Sequence, residues 1–410
     1  MNVWIVNPFD PLPGDPEQEG RYATLARLLV ARGHRVRWWT SSFSHRFKRP
    51  VDQAEIARAC RACGIEVEFT DAPPYARNVG LRRVRSHGVL ARRFREAALR
   101  SPDTPDVVVV SSPPPVLAAV AVDVARRRGA RSIVDVQDLW PNAFTSLAPR
   151  PVRALLGPVI WMLRGNVRRA ARGCDAIVGV ADAYVQSSLC ETDGSKRIAT
   201  IPLGVDLAAF DAAAARGRCE RFAKPPGEIW LAYTGSLNRN YDFLTILRAA
   251  AKIGTRLGPG LRFFITSRGE LAEQAQAIVH EQKLTNVTLT GFLEFDTWAY
   301  LLSQCDAGFN ASFPEVMIFL PNKIFYYLAA GAAVLNTIPG QCSQIVREGG
   351  CGLDYSAGDA DSCAAAIERV VRDVAGRVAM QKAARRLAET TYDRAILFPK
   401  YVELIEELGT

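Results

Sequence analysis

Short runs rich in β-branched and aromatic residues alternate with helix-like stretches along the whole 410-residue chain, and they do so twice. In the first half the runs fall near 3–7, 35–40, 65–70, 106–111, 132–137, 175–180 and 198–202, with segments such as RYATLARLLVARG (21–33) between them. The second half repeats the pattern in EIWLAYTGS (228–236), LRFFITS (261–267), NVTLTGF (286–292), DAGFNAS (306–312), AAVLNT (332–337) and CGLDYS (351–356). Strands joined through helices run parallel, and a parallel sheet needs helices on both faces. An α/β chain with two doubly wound sheets is expected. The seam between them is expected in DLAAFDAAAARGRCERFAKPPGE (206–228), which is polar and ends in Pro-Pro-Gly.

Doubly wound sheets bind ligands beyond the carboxyl ends of their strands, so the residues just after each strand are the candidates. YTGSLNRNYDF (233–243) offers Gly235 for close backbone approach, Ser236 and Asn238 as helix caps, and Arg239 to face a phosphate. Arg268-Gly269, Gly291-Phe292 and the NASFPE loop carrying Glu315 follow the next three strands. LPNKIFYYLAAGAAVL (320–335) then reads as a helix opened by Pro321, with Asn322 and Lys323 in its first turn. Proline suits that turn, and the free amides beside Lys323 favour an anion. The G-x-G-x-x-G fingerprint is absent, which disfavours NAD or FAD. Such loops in succession point to a nucleotide diphosphate.

At this point the sequence resembles the GT-B glycosyltransferases, specifically glycosyltransferase family 4, over essentially its whole length. LARLLVARGHRVRWWTSSFSH looks like the family's first helix and second strand, and IVDVQDLWPNAF is similar to a turn of its bacterial surface-polysaccharide branch. IPLGVDLAAF matches the Ile-Pro-x-Gly-Val-Asp-x-x-x-Phe signature before the interdomain linker, and LPNKIFYYLAAGAAVL resembles the donor-site helix. The resemblance implies two Rossmann-like domains facing across a cleft. Residues 1–207 would form the acceptor domain and 208–393 the donor domain, with a C-terminal helix, about 394–410, returning to the first.

The resemblance also implies roles. Gly235 and Ser236 would approach the leaving diphosphate, with Arg239 as its nearest cation. Asn322 and Lys323, with Pro321, would complete the cradle. Arg268, Gly269, Gly291 and Phe292 would line the base pocket, and Glu315 would lie near the donor sugar. Asp138, Gln137 and Trp140, together with Asp10, Gly14 and Arg21 of the 7–21 loop, would handle the acceptor and the reacting sugar. Lys323, Arg239 and Asp138 would be catalytic. The family's ribose-binding glutamate is replaced by Tyr326, and an earlier glutamate by Ile318. Losing a charge-assisted bond costs about 1.5–3 kcal/mol, roughly ten- to a hundredfold in affinity.

The implied reaction is retaining transfer of a hexosyl group from a nucleotide diphosphate sugar, a UDP-sugar being favoured, to a lipid-linked glycan of a bacterial surface polysaccharide. Fixed cations and dipoles could stabilise the leaving group, so no cofactor or metal is expected. The Asp-x-Asp of residues 359–361 reads as a helix cap instead. Two alternatives stay open: a sugar-nucleotide 2-epimerase of the same fold, and an accessory protein whose donor site has weakened.

Charge and cysteine content bound the partners and the compartment. Residues 1–207 carry a net +10 and residues 208–410 a net −1. The excess is concentrated in 81–100, with seven arginines against one glutamate, and in 148–174, which has no acid and an apolar centre. A basic segment with an apolar centre suits an anionic membrane surface or a partly buried helix. Nucleic acid is disfavoured because no recognition motif accompanies the charge. The nine cysteines are scattered and read as reduced, with Cys60 and Cys63 on one helix face rather than at a metal. With no signal segment or spanning run, the expected location is the cytoplasm, with peripheral attachment to the inner face of the plasma membrane. His34 is expected to be structural, and His45 and His87 are candidates for acceptor contact.

Overall fold

The computed structural model of the chain describes residues 1–14, 20–77, 80–142, 154–192, 194–254 and 256–410. Parts of the expected 7–21 loop and of the basic 148–174 stretch lie outside them. Two compact units account for the chain: Met1–Leu203 with Leu397–Thr410, and Gly204–Ile396.

In the first unit, β1 (Asn2–Val6), β2 (Arg35–Ser41), β3 (Ile65–Thr70), β4 (Val107–Ser112), β5 (Arg131–Val136), β6 (Ala176–Gly179) and β7 (Arg197–Thr200) form one parallel sheet. Their order is β3-β2-β1-β4-β5-β6-β7. Val107 through Val110 of β4 and Val3 through Ile5 of β1 have no exposed surface. Such unbroken apolar strands follow from cover on both faces of the sheet. β1 lies directly beside β4, so the winding reverses between them and their carboxyl ends part around a crevice.

The second unit repeats the plan with β8 (Ile229–Thr234), β9 (Leu261–Thr266), β10 (Val287–Leu289), β11 (Ala307–Asn310), β12 (Ala333–Asn336) and β13 (Gly352–Asp354). The order is β10-β9-β8-β11-β12-β13, all parallel, and the winding reverses between β8 and β11. Leu231, Tyr233, Phe243, Ile246, Phe263 and Phe309 are at the centre of its core. Several strands are shorter than the apolar runs suggest, because the chain leaves the sheet early to build the loops at its carboxyl edge.

The expected seam is mostly not a linker. The second unit starts at Gly204, and residues Leu207–Arg216 form a helix. Asp206 caps it by accepting from the Ala209 amide at 2.9 Å, and the alanine run propagates it. Arg216 then holds the Asp296 carboxylate through two bonds of 2.8 and 2.9 Å. Asp359 accepts from the amides of Asp361 and Ser362 and so caps the Ala360–Arg372 helix, while Asp361 pairs with Lys252 at 2.6 Å.

Arg21 requires a correction. It was expected to face the acceptor, but it is 2% exposed and all its donors point inward. Its guanidinium binds both oxygens of Asp135, at 2.8 and 3.3 Å, and the carbonyls of Ile201 and Pro202 at 2.7 and 3.2 Å. Tyr22 donates to the same carboxylate at 2.9 Å, and the rings of Phe398 and Tyr401 cover the guanidinium at 5.4 and 5.2 Å. The C-terminal helix, Arg394–Gly409, is thus fastened to the first unit from Leu397 onward. Glu406 adds bonds of 2.8 Å to Arg32 and 2.9 Å to His34, which gives His34 a structural task.

Removing one partner of a buried ion pair costs about 3–5 kcal/mol, because the other charge stays buried and uncompensated. Arg21→Met is therefore expected to lower the unfolding free energy by about that amount in urea titrations. An unchanged midpoint would return Arg21 to the list of ligand-facing groups.

Candidate functional site

In the second unit the loops after β8 and β11 converge where the winding reverses, and Lys323 reaches up between them. It is the first residue of the Lys323–Ala329 helix and is 7% exposed. Its Nζ donates to the Ala311 carbonyl at 3.3 Å and lies 4.7 and 4.2 Å from the ring centres of Tyr233 and Tyr241. Gly235 leaves the space above this nitrogen open. A Cβ there would come within 3.4 Å of Nζ, and the φ of +129° already disfavours any other residue. Among the described residues no carboxylate pairs with the ammonium. Burial pushes it down to about 7, opposed only by the Cys342 thiol, which burial itself pushes up to about 12.

The surrounding loops are stitched into one backbone surface. Ser267 Oγ donates to the Gly235 carbonyl, the Leu237 amide to Arg268 O at 3.1 Å, and the Leu271 amide to Leu237 O at 3.0 Å. Gly269 lies so close to Leu237 that a Cβ would fall 2.2 Å from its carbonyl oxygen. Ser312 Oγ reaches Asn240 O at 3.0 Å, tying in the loop after β11. Arg239 is exposed in a turn closed by Tyr241 N to Asn238 O, so it is two residues from the ring that covers Lys323. The guanidinium of Arg268 stacks on the half-exposed Phe292 ring at 5.2 Å, just after Gly291. Ser236 and Glu315 are exposed on the loops after β8 and β11.

Some expectations for these loops change. Ser236 and Asn238 cap no helix; Asn238 Oδ1 accepts from the Asn240 amide at 2.9 Å and shapes the turn. Pro321 does not open the helix, which begins two residues later. The amides of Ile324 and Phe325 donate to Pro321 O and Asn322 O, at 3.3 and 3.2 Å, so they are not free for an anion. Lys323 rather than a row of amides therefore carries the attraction. Tyr326, expected against a ribose, packs its ring against Phe210, Phe295 and Trp298 at 6.2, 6.4 and 4.9 Å. An aromatic residue at this position closes the gap to the helices Leu207–Arg216 and Phe295–Ser303 instead of presenting a carboxylate. Its neighbour Tyr327 was overlooked in the sequence, although the Tyr-Tyr pair marks it. Tyr327 Oη accepts from the Thr234 amide at 3.0 Å and donates to Phe309 O at 3.2 Å, bridging the ends of β8 and β11.

The first unit has its own group at the β1/β4 reversal. Asp10, Gln137 and Asp138 line a cavity of about 210 Å³ with Asn7 and Phe9. Burial pushes the Asp138 carboxyl up, against the pull of the Leu139 amide, Trp140 and Arg83. Trp140 stands beside this cavity with the Arg83 guanidinium 4.5 Å from its ring centre. Asp10 also accepts from the Tyr22 amide at 3.4 Å. Gly14 is elsewhere: its φ is +87°, and a Cβ would meet that of Ala59 at 2.6 Å, against the Gln53–Ala62 helix. It serves packing there and is separate from the Asp138 group. Arg83, Phe9 and Tyr75, which join this group, were missed because they come from the Leu81–Arg100 helix and from two distant loops with no shared motif.

Residues 19–209 match the family described as Glycosyltransferase Family 4, and residues 228–373 match Glycosyl transferases group 1. No curated protein matches by sequence. Among solved structures, sucrose-phosphate synthase from Thermosynechococcus elongatus is similar over 100% of this chain and 99% of its own, at 16% identity and a TM-score of 0.74. HepE from Anabaena, solved in complex with UDP and with UDP-glucose, is similar over 99% and 100%, at 14% identity and a TM-score of 0.68. WaaG, a glycosyltransferase involved in lipopolysaccharide biosynthesis, is similar over 98% and 99%, at 13% identity and a TM-score of 0.67.

The state of Lys323 generates a pH dependence. Free protein loses the ammonium as pH rises through about 7, whereas a bound anion holds the proton on. Binding above pH 7 thus requires proton uptake, and each pH unit weakens it by up to about tenfold. Calorimetric titration with inorganic pyrophosphate should show falling affinity from pH 7 to pH 9, and Lys323→Met should flatten the profile.

Proposed function

The chain belongs to glycosyltransferase family 4, with the GT-B fold, and on that premise we propose that it transfers a hexosyl group from a nucleotide diphosphate sugar to a glycan acceptor. The observation that carries the donor half is the buried Lys323 ammonium at the β8/β11 reversal, which no carboxylate among the described residues offsets. The diphosphate would sit against Lys323 and the Gly235-Ser236 backbone, with Arg239 as an outer cation. Arg268 and Phe292 would flank the base, and Glu315 would approach the sugar. The UDP and UDP-glucose complexes of HepE support a UDP-sugar as donor. Bond cleavage leaves negative charge on the departing diphosphate, and a cation fixed in advance stabilises that charge without reorganising.

In this proposal the acceptor hydroxyl attacks the anomeric carbon on the face that the diphosphate leaves. The C1–O bond to phosphate breaks, the new glycosidic bond forms with retention, and a phosphate oxygen takes the hydroxyl proton. No metal is needed for the charge balance. Gln137 and Asp138 of the first unit would position the acceptor. A donor screen that reads nucleotide diphosphate release tests the proposal. UDP-hexoses should be consumed only with acceptor present, and Lys323→Ala should reduce turnover at least a hundredfold while the melting temperature holds. Wild-type rates in that variant would refute the assignment.

The acceptor is proposed to be lipid-linked and met at an anionic membrane surface, as a step in building a bacterial surface polysaccharide. No described helix is long and apolar enough to cross a membrane, and the attachment proposed is peripheral. The helix Gly157–Gly173 and the residues just before it supply the surface: Leu155 and Trp161 are 81% and 80% exposed, and Met162 is 40% exposed. Arg164, Arg168, Arg169 and Arg172 share that helix. Exposed apolar side chains among arginines suit insertion beneath anionic headgroups. The part that WaaG plays in lipopolysaccharide biosynthesis agrees with this setting. The protein should cosediment with phosphatidylglycerol vesicles at low salt, less as salt rises, and Trp161→Ala should reduce the bound fraction severalfold. Absence of cosedimentation at low salt would remove the membrane from the proposal.

A further inference from the structure

Two buried hydroxyl groups that the donor proposal leaves unused end on the backbone around Lys323. Ser312 follows β11 and Thr337 follows β12, and they are 2% and 9% exposed. The two strands pair as far as Asn310 and Asn336, and the Thr337 amide extends the ladder by donating to Asn310 O at 3.1 Å. One further step of a parallel ladder would send the Ser312 amide to the Thr337 carbonyl. It goes instead to the Thr337 hydroxyl, Oγ1, at 2.8 Å, and that hydroxyl donates back to Ser312 O at 2.7 Å. A hydroxyl has one proton and also accepts, so this bridge uses both capacities on a single residue.

The bridge fixes the peptide between Ala311 and Ser312. Its N–H and its C=O lie in one plane and point opposite ways, so turning one turns the other. With the N–H held by Thr337, the Ala311 carbonyl faces the Lys323 ammonium, which donates to it at 3.3 Å. The Ser312 side chain makes a second connection, its Oγ donating to Asn240 O at 3.0 Å. Asn240 stands between Arg239 and Tyr241, whose ring centre is 4.2 Å from Lys323 Nζ. Ser312 thus ties the carbonyl that accepts from the ammonium to the turn whose ring covers it.

We infer that Thr337 and Ser312 are positioning residues of the donor site: Thr337 aims the Ala311 carbonyl at Lys323, and Ser312 holds the Arg239–Tyr241 turn against it. The inference rests on the donor proposal and names the groups that set its central ammonium in place.

The two connections act on the charge in opposite directions. A carbonyl acceptor favours the ammonium, so its loss makes the proton easier to remove. The Tyr241 cover keeps water away, so loosening it restores hydration and moves Lys323 from about 7 back toward its ordinary 10.5. Among the described residues, the titratable groups facing the ammonium are the phenols of Tyr233 and Tyr241 and the Cys342 thiol of the Gln341–Glu348 helix, with Arg239 as the charged group of the turn. Burial raises Tyr233 well above its ordinary value and Cys342 to about 12, so neither ionises where Lys323 titrates.

The full chain, carrying lysine labelled with carbon-13 at Cε, is titrated by NMR without ligand, following the signal that Lys323→Met removes. UDP affinity is measured in parallel by calorimetry at pH 6 and pH 8. Thr337→Val should lower the Lys323 midpoint by about one pH unit. UDP should then bind up to about tenfold more weakly at pH 8 and only about twofold more weakly at pH 6. Thr337→Ser retains the hydroxyl and should retain the wild-type midpoint, whereas Ser312→Ala should raise it. A general loosening would admit water and raise the midpoint in every variant, so the opposite signs separate aiming from packing. An unchanged or raised midpoint in Thr337→Val, a lowered one in Thr337→Ser, or an unchanged or lowered one in Ser312→Ala would each overturn the inference. Should Thr337→Val fail to fold, the other two variants decide. Wild-type protein whose Lys323 titrates as described but which does not bind UDP would count against the donor proposal alone.

Discussion

A lysine ammonium enclosed by two tyrosine faces and a backbone carbonyl is the interaction around which the second unit is arranged. Burial opposes its charge by about 5 kcal/mol, taking the fall from 10.5 to about 7 at the usual conversion. A chain optimised for stability alone would place an apolar side chain there. In the proposed donor site an arriving anion would reverse that cost, and the walls of the site hold their shape without one. Tyr327 keeps the ends of β8 and β11 at a fixed separation through two hydrogen bonds. Gly308 makes room for that ring, since a Cβ would fall 2.2 Å from its edge. The glycine in β11, the tyrosine in the helix and the lysine one turn earlier therefore form one construction.

Much of this was legible in the sequence because it is local. The Val107–Val110 run can only be a strand covered on both faces, and the alternation of elements requires two parallel sheets. Glycines after strands mark loops at the ligand edge, and Lys323 could be placed from the helix it starts. What could not be read depends on partners far apart in the chain. Arg21 looks like a loop cation until Asp135, 114 residues away, takes its guanidinium. The alanine-rich seam is a helix because Asp206 caps it and because the helix Phe295–Ser303 gives it a surface to pack on. Arg83 sits among arginines of similar appearance, and only the convergence of three aromatic loops distinguishes it.

Tyr326 shows how one position can change its task while the fold stays the same. The resemblance leads one to expect a carboxylate at this position, turned to a ribose. The tyrosine instead joins Phe210, Phe295 and Trp298, and Trp298 donates to Thr234 Oγ1 at 3.0 Å, at the end of β8. The position now braces the strand that leads into the Gly235 turn. In the proposed donor site, affinity for a nucleotide would then depend more heavily on the end where Lys323 is and on the Arg268–Phe292 stack.

The helix that runs through Leu397 to Gly409 closes the first unit over the buried Arg21–Asp135 pair. A ribosome delivers that helix only after the whole of the second unit has emerged. The second unit is continuous in sequence and can condense as soon as Ile396 is clear of the exit tunnel. The first must wait with an ion pair uncovered and part of its core open, although its strands were made earliest. Of the two units, the one begun earlier is completed later, and during synthesis it has the greater need of a chaperone.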